Sequence, residues 1–149
     1  SIKDESMKKI AIFFFTIIII VVWISYAYLN YKASYNNAKK GNMPFESYYN
    51  QEIYGTELTT IINKAIDNNN NNEVLKDKKG KYIDNKSNSI NIDVKIIDND
   101  KIYTMETLYN GGMENFIQYY NQIKFKCTII EYHKDTNKVK YMLFEQITQ

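Results

Sequence analysis

Residues 10–31 contain no charged side chain, and within residues 10–24 only Thr16 interrupts a run of Ile, Ala, Phe, Val and Trp. At a rise of about 1.5 Å per residue, some 20 such residues cross the hydrocarbon layer of a bilayer. A helix that is apolar on every face must be surrounded by equally apolar material. The chain has 149 residues and a mean hydropathy of -0.48, so it has too little apolar material elsewhere to wrap such a helix. The run therefore predicts one membrane-spanning anchor, with Ile10, Phe14, Ile18, Val22, Trp23 and Tyr26 facing lipid.

The flanks give the anchor two different ends. Trp23, Tyr26, Tyr28 and Tyr31 gather at its C-terminal end, where amphipathic rings favour the headgroup layer, and Lys8 and Lys9 stand at the other. Lys32, Lys39 and Lys40 follow on the far side, so lysine counts alone are nearly balanced. A short basic segment ahead of the first apolar run is the signal-anchor arrangement, and it puts the N-terminus inside and the remainder outside the cell. Met7-Lys8-Lys9 reads as a start preceded by six further residues. The alternative is a cleaved signal peptide, for which Ser25-Tyr26-Ala27 supplies the small residues of a cleavage site.

Charge and rare residues exclude several chemistries. All 19 basic residues are Lys, 17 acids nearly cancel them, and the net charge of +2 gives no concentrated basic face for nucleic acid. A single Cys cannot form an intrachain disulfide or a Cys-based zinc cluster, and a single His excludes His-rich metal sites.

The polar remainder reads as one α+β domain in which helices pack on a mainly antiparallel sheet. Expected boundaries are a cytoplasmic tail at 1–9, the anchor at 10–31, a stalk at 32–44 broken by Gly41-Asn42-Met43-Pro44, and an extracytoplasmic domain at 45–149. A helix is expected over 56–68, capped by Thr56, with Leu58, Ile61, Ile62, Ala65 and Ile66 at helical spacing. The Asn run at 68–72 has low helix propensity and reads as a loop. Val74-Leu75 and Lys81-Tyr82-Ile83 suggest a small hairpin. Ile90, Ile92, Val94 and Ile96 alternate as in a strand that turns at Asp98-Asn99-Asp100 into 101–105. Met113, Phe116, Ile117 and Tyr120 suggest a short helix, and 124–132 with 139–146 a second hairpin.

The stretches at 52–69, Tyr103-Thr-Met-Glu-Thr-Leu-Tyr-Asn-Gly-Gly-Met113 and Lys124-Phe-Lys-Cys-Thr-Ile-Ile-Glu-Tyr-His133 resemble uncharacterised single-anchor membrane proteins of low-GC Gram-positive bacteria. That resemblance implies a location and no reaction. The order of apolar helix, stalk and antiparallel sheet is similar to type IV pilins and pseudopilins, and implies a structural subunit as an alternative. Those proteins carry a processing Gly before the apolar run and a Glu within it; neither is present here.

No catalytic, cofactor or metal residues emerge. Cys127 falls between Phe125 and Ile129 on the alternating face of a strand, as a buried inert thiol would. Strand parity puts His133 on the same face, but about 20 Å away. Asp98-Asn99-Asp100 starts like a calcium loop but lacks its Gly and closing Glu, and Asp67 with the Asn run fails similarly. Asn110-Gly111-Gly112 reads as a helix junction rather than a phosphate loop. Tyr48-Tyr49 and Tyr119-Tyr120 are the places to look for a stacking surface. The expected function is a membrane-anchored binding or interaction module, not an enzyme, with lipid as one partner and an envelope protein or glycan as another. A secreted domain, or an envelope hydrolase with an acid pair that sequence does not single out, is the remaining alternative.

Overall fold

The computed structural model describes residues 1–98 and 100–149 and divides into two compact units, Ser1–Asn37 and Ala38–Gln149. The first unit is helical. It belongs to α1 (Ile2–Glu46), which begins with Asp4 and Glu5 at its positive end. The one polar side chain of the apolar run is satisfied within the helix, since the Thr16 hydroxyl donates to the Ile12 carbonyl at 2.8 Å. Tyr31 and Tyr35 stack one turn apart at 6.4 Å.

The second unit starts inside the same helix. The expected stalk is not interrupted at 41–44; α1 continues, and Ala38, Asn42 and Phe45 are buried in the domain. A Cβ on Gly41 would meet nothing within 4 Å, and Pro44 sits in the last turn, where it forfeits one hydrogen bond. Asn42 acts as a piece of backbone: its Nδ2 donates to the Asn137 carbonyl and its Oδ1 accepts from the Val139 N–H, both at 2.8 Å.

Five strands follow, β1 (Glu52–Tyr54), β2 (Asn91–Ile96), β3 (Lys101–Thr104), β4 (Lys124–Tyr132) and β5 (Val139–Gln146), in the spatial order β1-β4-β5-β2-β3. Three pairings are antiparallel, and β2 and β5 are parallel, so the sheet is mixed within an α+β fold. The β2–β3 and β4–β5 hairpins match the alternation in the sequence. β1 is only three residues long and carries too little pattern to read.

Helices α2 (Gly55–Asn71), α3 (Met105–Asn110) and α4 (Met113–Tyr120) cover one face. The apolar stripe of α2 is fully inside and shares one core with Ile92, Val94, Phe125, Met142 and Phe144 from the sheet. The other face presents Lys95, Glu145, Lys126 and Glu52 in register across four strands, an alternation of charge that suits water.

Two local readings are corrected. Helix α2 starts at Gly55 rather than Thr56, and Tyr54 flanks it with no side-chain cap. A Cβ on Gly55 would collide with the Tyr120 carbonyl oxygen, so this position joins α2 to the end of α4 at backbone contact. Gly55→Ala should therefore lower stability by about 1–3 kcal/mol in a denaturant titration, although alanine is the better helix former.

The second correction is the Asn run, which is helical through Asn71. Asn69 is fully buried, and its amide exchanges two 2.8 Å hydrogen bonds with the Ile90 N–H and carbonyl, imitating a strand partner. Asn68 donates to the Asn88 carbonyl at 2.8 Å, and Asn72 caps the helix by donating to the Asn68 carbonyl at 2.9 Å. The run is thus a ladder of amides that fastens the segment leading into β2.

Candidate functional site

The six residues expected to face lipid lie on α1. Ile10, Phe14, Ile18, Val22, Trp23 and Tyr26 are all exposed, from 55% at Ile10 to 72% at Trp23. The helix is long and apolar enough to cross a membrane, and no residue of its most apolar window is buried in protein.

A cleft of about 260 Å³ opens where α3 and α4 meet the end of β2. It is lined by Ile96, Tyr103, Thr107, Leu108, Gly111, Gly112, Asn115, Phe116, Tyr119 and Tyr120. The Thr104 hydroxyl caps α3 by accepting from the Thr107 N–H at 3.2 Å. Gly111 ends that helix, and Gly112, at φ 92°, reverses the chain into α4. The Asn110-Gly111-Gly112 segment therefore joins two helices, as its sequence suggests.

Aromatic stacking sets the cleft wall. Phe116 stacks on Tyr120 at 4.9 Å, and Phe125 meets both, at 6.0 and 6.1 Å. Tyr120 thus divides its ring between core and cleft, and burial, with Asp98 and Tyr103 nearby, pushes its hydroxyl above the ordinary tyrosine value. Tyr119 is 73% exposed and also borders a neighbouring hollow lined by Asp98, Ile123, Gln146 and Gln149. Of the two tyrosine pairs, Tyr119-Tyr120 lines this cleft; Tyr48 packs on the core and Tyr49 is exposed. The sequence missed Tyr103, Leu108 and Asn115, which come from separate segments that only the fold joins.

Cys127 is fully buried, its thiol donates to the Ile129 carbonyl at 3.3 Å, and burial pushes it up to about 11. The expected face is corrected at Ile129. A register shift between Cys127 and Ile129 turns Ile129 out to solvent, and a second one precedes Tyr132. The calcium-like turn includes Asn99, which lies outside the described residues. Among the described residues, no three of His, Cys, Asp and Glu come together as a metal site.

His133 is buried and unrelated to Cys127. Its Nε2 lies 2.7 Å from the Ser89 carbonyl, which can only accept, so Nε2 carries the proton. Its Nδ1 lies 3.6 Å from Asp84, which also meets Lys140 at 3.6 Å. Burial pulls the Asp84 carboxyl upward. The Lys86 N–H, the His133 ring, Lys140 and the Ser89 hydroxyl outweigh it and hold the group below its ordinary value.

A lowered carboxylate value contributes stability above the unfolded value of about 3.9, and that contribution is lost as pH falls through the folded one. Urea midpoints measured from neutral to acid pH should therefore fall less steeply below about pH 4 in Asp84→Asn than in the parent. An unchanged slope would mean that Asp84 makes no net contribution.

The cleft offers rings, backbone and a few neutral polar groups, an arrangement suited to shape recognition and stacking. No protein-family model, no curated protein and no solved structure matches the chain.

Proposed function

We propose that this chain is a membrane-anchored, extracytoplasmic binding module: residues 10–31 span the bilayer with the N-terminus inside, and the α+β domain presents its aromatic cleft to an envelope protein or glycan. The observation that carries the reading is the long uncharged run of α1, with none of its most apolar window covered by protein. Each large apolar side chain left in water forgoes about 1.5–3 kcal/mol of burial, and a bilayer recovers that for all faces at once. The tether then confines the cleft to a thin layer, which raises its effective concentration for partners in the same envelope. The paired rings at Tyr119 and Tyr120 and the neutral polar groups at Thr107 and Asn115 suit a ring-bearing ligand.

Protease shaving of intact cells that express the chain with a C-terminal tag tests orientation and anchorage together. The tag should be lost while a small N-terminal fragment stays in the membrane. A protected tag would reverse the orientation, and a tagged fragment lacking residues 10–31 would make the domain a secreted one.

A further inference from the structure

Residues 74–83 form a tight projection whose chemistry differs from the rest of the surface. Lys76 and Tyr82 pair as an isolated antiparallel bridge, the Ile83 N–H donates to the Leu75 carbonyl at 2.8 Å, and the Asp77 N–H donates to the Lys81 carbonyl at 2.8 Å. Gly80, at φ 84°, makes the reversal, and the Asp77 carboxylate accepts from the Lys79 and Lys81 N–H groups at 2.8 and 3.0 Å. Tyr82 nails the projection down: it is buried, its hydroxyl donates to Asn70, and its N–H donates to Glu106. Period-two alternation puts Leu75 and Ile83 on the side opposite Tyr82. They are 75% and 48% exposed, whereas the apolar partners of α2 are buried completely.

Lys78, Lys79 and Lys81 accompany this apolar pair against one aspartate already engaged by backbone, whereas Lys76 lies over the Tyr82 ring at 4.8 Å on the opposite side. These three lysines are exposed, and none of them makes an ion pair among the described residues. Elsewhere the charges alternate in sign across the sheet. We propose that this hairpin is a second membrane-contact site, which inserts Leu75 and Ile83 among the headgroups of an anionic bilayer while its lysines meet lipid phosphates.

An anionic bilayer is favoured over other partners by three observations. Charge is complementary, and the two apolar side chains protrude instead of forming a groove. The hairpin is also prefolded, so no ordering cost opposes docking. The site rests on the tethered reading, because a domain held at the bilayer needs only weak attraction to dock.

The test is lysine acylation footprinting of the full chain, read by mass spectrometry, in vesicles of zwitterionic lipid and in vesicles with about one third phosphatidylglycerol. Labelling of Lys78, Lys79 and Lys81 should fall several-fold in the anionic vesicles, while Lys95 and Lys124 on the sheet serve as internal controls. A surface lysine contributes about a five-fold factor near such a membrane, so raising the salt should restore labelling. Leu75→Ser with Ile83→Ser should weaken the protection with the lysines intact. Equal labelling in both vesicles, or protection indifferent to the serine pair, would overturn the proposal. Failure of the tether shows up separately, as a chain that does not float with zwitterionic vesicles.

Discussion

A chain carrying lysine at both Ile18 and Val22 should leave the membrane pellet and appear in the soluble fraction or be degraded. Both positions lie near the middle of the apolar run, one turn apart on the same helix face. Each substitution exchanges a side chain worth about -0.5 kcal/mol for one costing about 3 kcal/mol at the bilayer centre. The pair shifts apparent insertion by about 7 kcal/mol, more than a run of this length can absorb. Alanine at the same two positions should keep the chain in the pellet, because the change in transfer energy is small. Full membrane retention of the lysine pair would mean that something other than residues 10–31 holds the chain there.

The second large effect is expected at Asn69. Asn69→Leu removes two 2.8 Å hydrogen bonds and leaves the N–H and carbonyl of Ile90 facing an apolar side chain inside the domain. Each unmatched buried backbone group costs about 1–3 kcal/mol, so the total loss is about 3–5 kcal/mol, read as a lower urea midpoint. Leucine recovers only a few tenths through its helix propensity. The neighbouring Asn71, which is exposed, provides the contrast: Asn71→Ala should stay within about 0.5 kcal/mol of the parent. Equal losses at the two positions would remove the amide ladder as a source of stability.

The contrast between these two asparagines also marks what sequence reading reached and what it missed. Leu58, Ile61, Ile62, Ala65 and Ile66 announce a helix because burial follows its period, and the alternation from Ile90 to Ile96 announces a strand for the same reason. The Asn run announces nothing, since its value lies in matching the backbone of a segment 21 residues away. Gly41 and Pro44 read as breakers, yet a helix near its end tolerates both, and Asn42 between them is held by a distant turn. The long apolar helix was legible in the sequence, because its signal is continuous apolarity rather than a match to a distant segment. The cleft was only half legible: Tyr119-Tyr120 stood out as a pair, whereas Tyr103, Leu108 and Asn115 join them through the packing of α3 against α4.

The strand order has a consequence for biogenesis. β5 lies between β4 and β2, so the β1–β4 and β2–β3 pairs have no lateral neighbour in common until residues 139–146 arrive. Everything synthesised before them exposes unfinished sheet edges and cannot close its core. A polypeptide emerging from its N-terminus would thus stay pliable, and would snap shut only once that closing stave was delivered.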